Sequence, residues 1–194
     1  MQTIEHAPTA NDLLNDYCAV TYLYSRNRPT CEFTLPSLAE RRVIDLKRVV
    51  FATWWNVPID AFSFKDATLT KNGEKYDGKD VRYISLRAEG DDWFGHHFIC
   101  FVCELPAAGK YKVSIDAIKG PAQAKVQLFR DEAPVGQAVD LYAAERKPVL
   151  GEYVATLDLV EGPNKLLFKL VGKNEQSQGM GLDLTNIICE RVDK

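Results

Sequence analysis

The chain is poor in the residues that most often carry chemistry. Of its 194 residues, only 3 are histidine, 2 methionine and 3 tryptophan. No G-x-S-x-G elbow is present, and no glycine-rich loop stands between a strand and a helix, so neither a nucleophile elbow nor a phosphate cradle is encoded. No apolar run approaches the roughly 20 residues of a membrane-spanning helix. Basic residues are not in excess. The 24 Lys and Arg face 27 Asp and Glu, a net charge of −3. That balance lacks the electrostatic footprint of a nucleic-acid binder, and it lacks a polybasic membrane patch. The opening MQTIEHAPTANDLLNDYC carries Glu5, Asp12 and Asp16 and has no apolar core, so it does not read as a signal peptide. Two alternatives stand: the protein stays inside the cell, or the start is a boundary within something larger. Neither fixes a compartment. The cysteines, Cys18, Cys31, Cys100, Cys103 and Cys189, are odd in number and do not form a small-disulfide framework.

What is present is ordinary globular material: 46% hydrophobic, 26% charged and 10% aromatic residues. Residues 1–47 are irregular. Tyr17–Tyr24 reads as a strand, Pro29 and Pro36 break the chain, and Ser37 with Glu40 caps at most one turn of helix. From residue 48 the alternation has period 2. Residues 48–53 and 62–70 look extended, and Asn72-Gly73 is a tight-turn signal. Val81, Tyr83, Ser85 and Arg87 alternate with Arg82, Ile84 and Leu86, and residues 97–104 form a mostly apolar strand. Tyr111, Val113, Ile115 and Ala117 share one face. So do Ala124, Val126 and Leu128, then Tyr153, Ala155, Leu157 and Leu159, then Leu166, Phe168 and Leu170. Residues 182–192 close the chain as a last strand after a polar loop at 172–181. Short strands separated by turns, without a long amphipathic helix, predict an all-β fold, an antiparallel β-sandwich or jelly roll over residues 48–194.

Two segments carry a resemblance. Residues 15–25 (NDYCAVTYLYS), with Arg28-Pro29 and residues 35–41 (LPSLAER), resemble the end of the catalytic region in the domain-of-unknown-function 2961 proteins, glycoside hydrolase family 172. Residues 109–113, 139–142, 162–164, 171–174 and 181–183 resemble the carbohydrate-binding-module-like, galactose-binding-like sandwich that follows that region. The resemblance implies furanoside chemistry by paired glutamates on jelly rolls, in homo-oligomers. It supplies no matching catalytic glutamates here, because the main catalytic jelly rolls would lie upstream of residue 15. It therefore implies carbohydrate as partner, and an accessory role beside a separate catalytic region.

Asp91-Asp92 is the obvious carboxylate pair, but neighbours in an extended segment point apart, and glycosidases need two carboxyls facing across about 5–9.5 Å. Glu32, Glu40 and Glu104 have no motif context. Cys100 and Cys103, at i and i+3 of a strand, face opposite sides and read as core thiols rather than metal ligands. His96-His97 diverge likewise. Sugar recognition needs an aromatic face plus hydroxyl partners. Asp92, Trp93 and His96 supply both in one loop. Asp140 and Tyr142, and Lys173 and Asn174 of the polar loop, are further carbohydrate-binding candidates. Trp54-Trp55 reads as packing, one ring inward and one outward. By resemblance, Asp183 takes the position of a structural calcium ligand, with Asp66 as a substitute partner. The expected function is a non-catalytic carbohydrate-associated module. A ligand-free homo-oligomerisation domain and a small furanosidase are the alternatives.

Overall fold

The computed structural model describes residues 47–55, 60–62, 67–88 and 97–192. The chain divides into two units, Met1–Asp45 and Leu46–Lys194, and the described residues belong to the second. The strand expected at Tyr17–Tyr24 and the helical turn at Ser37 lie outside the described residues.

Eleven strands follow one another: β1 (Arg48–Ala52), β2 (Asp60–Phe62), β3 (Ala67–Tyr76), β4 (Lys79–Ala88), β5 (Phe98–Leu105), β6 (Gly109–Lys119), β7 (Ala124–Arg130), β8 (Ala133–Asp140), β9 (Lys147–Leu159), β10 (Gly162–Lys173) and β11 (Met180–Arg191). They form two antiparallel sheets. One has the order β3-β4-β11-β6-β9, with β1 also paired to β11; the other has the order β2-β5-β10-β7-β8. The long last strand is shared. β4 pairs with Met180–Leu184 and β1 with Asn186–Glu190, while β6 runs along the opposite edge.

In β6, β7 and β10 the inner faces are the ones the alternation predicts. Ile84 and Leu86, Ile99 and Phe101, Val113 and Ile115, Val126 and Leu128, Leu166 and Phe168, and Leu182 and Leu184 are all buried between the sheets. Each such side chain contributes about 1.5–3 kcal/mol on burial. Tyr111 is fully buried as well, and its hydroxyl donates to the Ala107 carbonyl at 2.8 Å, which removes the cost of a lone buried hydroxyl.

Two expectations are corrected, and one strand is added. Asn72-Gly73 does not turn the chain but lies inside β3, opposite Arg82 and Tyr83. The turn is Asp77-Gly78, with φ of 49° and 78°, a two-residue connection between Tyr76 and Lys79. Positive φ at both central positions is the signature of a type I′ hairpin. Tyr153 is not on the inner face of β9. The register shifts by one residue there, so Val154 and Ala155 are both buried and Tyr153, opposite Ser114, turns outward. β8 was not expected at all, because only Val139 in it is buried. It lies against β9 at Gly136, whose φ is +70° and where an added Cβ would sit 2.1 Å from the Val154 carbonyl oxygen.

Candidate functional site

The strand directions bring five connections to one end of the sandwich: those after Phe62, Ala88, Lys119, Asp140 and Lys173. Among the sugar-binding candidates, Asp140, Tyr142, Lys173 and Asn174 belong to this end. Asp92, Trp93 and His96 lie outside the described residues. Their connection leaves from Ala88, opposite Met180, and rejoins at His97, whose carbonyl accepts from the Leu170 amide at 2.9 Å.

The other four candidates are brought together. Asp140 closes β8 opposite Lys125, and Lys173 closes β10 opposite Ala124, so the two strand ends flank the start of β7. Asn174 Nδ2 donates to Asp140 Oδ2 at 2.8 Å, and the Tyr142 amide donates to Asp140 Oδ1 at 2.9 Å. The Asn174 carboxamide oxygen accepts from the Gln176 amide at 3.1 Å. Asp140 and Asn174 therefore spend these polar atoms inside the protein, as Asx-type turn residues do. What they fix is the path of two loops. Tyr142 is half-buried and is tied to Asp140 through its backbone amide, and Lys173 precedes Asn174 in sequence. The hydroxyl of buried Ser177 donates to the Gln123 carbonyl at 2.9 Å, and the Gln178 amide donates to Pro121, which ties the 174–179 loop to the 120–123 turn.

Asp183 has a different setting. It lies on the outer face of its sheet and is fully buried there. Arg87 grips it with both guanidinium nitrogens at 2.7 Å, and Arg146 Nη1 adds a third cationic contact at 2.9 Å. Ser85 Oγ donates at 2.8 Å and Gln123 Nε2 at 2.7 Å. Gly181 leaves the room for this, since a Cβ there would lie 2.6 Å from Arg87 Nη1. Arg146 then continues to Glu74 on β3, with Nη2 at 2.6 Å from Oε1. Tyr76 and Tyr83 donate their hydroxyls to the same carboxylate. Burial alone would raise the Glu74 pKa, but the bonds from Arg146, Tyr76 and Tyr83 outweigh it and bring it from 4.5 to about 2. Burial and the Glu74 carboxylate push the Tyr83 phenol up. One arginine from the 141–146 loop thus clamps β3 and β11.

This geometry bears on metal binding. Calcium takes six to eight oxygens. Both oxygens of Asp183 already face guanidinium or amide donors, and Asp66 lies outside the described residues. Among the described residues no group of three His, Cys, Asp or Glu side chains is placed to hold a metal. The side chains around Asp183 do not fit the ion.

The remaining candidates sit elsewhere. Cys103 and Cys189, from opposite sheets, are both buried, and contact with Cys189 together with burial pushes the Cys103 thiol up. Cys100 is buried too, on the other face of β5. Trp54 is half-buried with Lys71 and Arg82 over its ring at 5.6 and 5.5 Å, while Trp55 stands edge-on to it and is exposed. Arg146, Arg87, Glu74 and Gln123 are important residues that sequence reasoning did not single out. The available signal was Asp183 itself, a carboxylate set between Leu182 and Leu184 in an apolar strand.

No protein-family model and no curated protein matches the sequence. Among solved structures, the chain is similar to a Paenibacillus xanthan lyase, with 17% identity over 70% of this chain and 13% of the lyase, at a TM-score of 0.51. It is also aligned with a Podospora anserina mannanase carrying a family 35 carbohydrate-binding module (14% identity, 76% of this chain, 28% of that one, TM-score 0.46). A family 35 carbohydrate-binding module from an environmental isolate aligns at 11% identity over 75% of this chain and 98% of the module, with a TM-score of 0.44. The likeness to the lyase extends to the fold, and the fold is an all-β, two-sheet antiparallel sandwich.

Proposed function

We propose that the sandwich is a non-catalytic carbohydrate-associated module that binds a glycan weakly at the end where the five inter-sheet connections meet. The observation that carries this reading is the Asp140–Asn174 bond, which braces two neighbouring loops, one of which carries the half-buried Tyr142. A braced aromatic beside polar groups suits the apolar face and the hydroxyls of a sugar ring, and bracing reduces the ordering cost of binding. The nearby carboxylates support the non-catalytic part. Asp140 and Asp183 are spent on internal donors, and the Glu74 carboxylate is engaged by Arg146, Tyr76 and Tyr83, whose bonds hold its pKa at about 2 and keep it from serving as a general acid. The resemblance of residues 1–47 to the end of a glycoside hydrolase family 172 catalytic region supports a partnership with a catalytic region.

Affinity electrophoresis through gels containing arabinan, xylan, mannan or β-glucan tests the binding. Retardation by at least one polymer, abolished in Tyr142→Ala, is expected. Unretarded migration in all four gels would sink it. A second reading, homo-oligomerisation, is favoured by Leu150, which is 81% exposed on the edge strand β9. Sedimentation equilibrium separates the two, since only an oligomer loses mass in Leu150→Lys.

A further inference from the structure

A second concave feature lies on the outer face of the sheet of β2, β5, β10, β7 and β8, at the opposite end of the sandwich. There a cleft of about 490 Å³ opens between the β7–β8 turn and the β9–β10 turn. That volume lies in the range of small-ligand sites. Its floor includes Phe98, Phe129 and Leu167 from three neighbouring strands, all half-buried and all on the outward face.

Both walls are braced. Arg130 Nη1 donates to the Asp158 carbonyl at 2.7 Å, which fixes the first turn to β9. On the other side, Asn164 accepts from the Val160 amide at 3.0 Å and donates to the Val160 and Gly162 carbonyls at 2.8 and 2.9 Å. Lys169, which does not line the cleft, places its ammonium 4.5 Å from the Phe129 centroid and fixes that ring.

The first turn is strained. Its two central residues, Asp131 and Glu132, have φ of 48° and 66°. The β3–β4 hairpin makes a two-residue turn with the same pair of positive φ values, and there the second position is Gly78. Only the cleft turn puts a side chain where glycine belongs, and strain of this kind concentrates at functional sites. Glu132 makes no hydrogen bond or ion pair with any other described residue, and its side chain stands on the rim of the cleft.

We propose that this cleft is a second glycan site, taking one ring of a neutral oligosaccharide with Phe129 against the apolar face of the sugar and Glu132 accepting from its hydroxyls. Neutrality follows from the rim, where Arg130 and Lys165 offset Asp131 and Glu132. The inference rests on the carbohydrate reading above and adds a position and a ligand class to it.

The test is a titration of the full chain with arabinohexaose, xylohexaose, mannohexaose and cellohexaose, read by amide chemical shifts. The expected result is a set of shifts at residues 130–132 and 164–167, with affinity reduced at least about fivefold in Phe129→Ala. Glu132→Gly provides the sharper arm. It should raise Tm by about 2–4 °C by relieving the backbone while weakening the same set of shifts. A higher Tm with undiminished shifts would reduce the turn to a structural accident and overturn the proposal. Shifts at 140–142 and 172–174 with a silent cleft would overturn the second site alone. Silence everywhere would overturn both sites.

Discussion

Replacing Asp183 by Asn keeps the shape of the side chain and removes its charge. In the parent, this fully buried carboxylate accepts from two guanidiniums, a hydroxyl and an amide. An asparagine oxygen cannot serve two cations, and its amide would point a donor at one of them. Removing one partner of a buried charge cluster costs about 3–5 kcal/mol. Arg87 and Arg146 are 36% and 32% exposed, so they recover part of their hydration and the low end applies. The expected loss is about 3 kcal/mol, or roughly 6–12 °C in Tm for a domain of this size. Urea unfolding by tryptophan fluorescence, with Arg146→Met and the double variant, measures it. The cycle should return a coupling of about 1–2 kcal/mol between the two positions. A loss below about 0.5 kcal/mol for Asp183→Asn, or strict additivity with Arg146→Met, would refute the clamp.

Three further outcomes follow from the same geometry. The Glu74 pKa is lowered in the folded state, so its contribution to stability is complete above the unfolded value near 4.5 and is lost as pH falls toward about 2. Its ceiling is about 3 kcal/mol, reduced to about 1–2 by solvent at a side chain 35% exposed, and Glu74→Gln should flatten the acid limb of a stability–pH curve. Gly136→Ala should cost about 2–4 kcal/mol in chemical unfolding, because φ is positive and a Cβ would overlap the Val154 carbonyl. Excess EDTA and excess calcium should give the same Tm in a thermal scan. A calcium-dependent rise that disappears in Asp183→Asn would restore the ion site expected by resemblance.

The parts of the fold legible in the sequence are those whose cause is local. β6, β7 and β10 are paired on both edges and bury one face between the sheets, and their alternation, such as Tyr111, Val113 and Ile115, reports the core directly. Where a non-local partner decides, the pattern misleads. Asn72-Gly73 and Asp77-Gly78 are both tight-turn signals, and pairing of β3 with β4 runs straight through the first and sets the reversal at the second. Tyr153 follows the alternation until a bulge against β6 turns it outward. The edge strand β8 buries too little to show a period.

The candidate site divides the same way. Asp140 and Tyr142 stand out through the family resemblance, and Lys173 and Asn174 through the polar loop that holds them, and the topology brings the four to one end of the sandwich. Their internal bonds were not visible, because Asn174 reaches Asp140 across 34 residues. Arg146 escaped notice for the same reason, since its partners Glu74 and Asp183 are 72 and 37 residues away.

The central claim is that a sugar ring rests against Tyr142 at the five-connection end. A crystal structure of the full chain soaked with the best-retained oligosaccharide tests this most directly. The account predicts ligand density beside the Tyr142 ring, within reach of the loops around Asp140 and Asn174. Density confined to other surfaces, or none at saturating ligand in a lattice that leaves this end open, would contradict it.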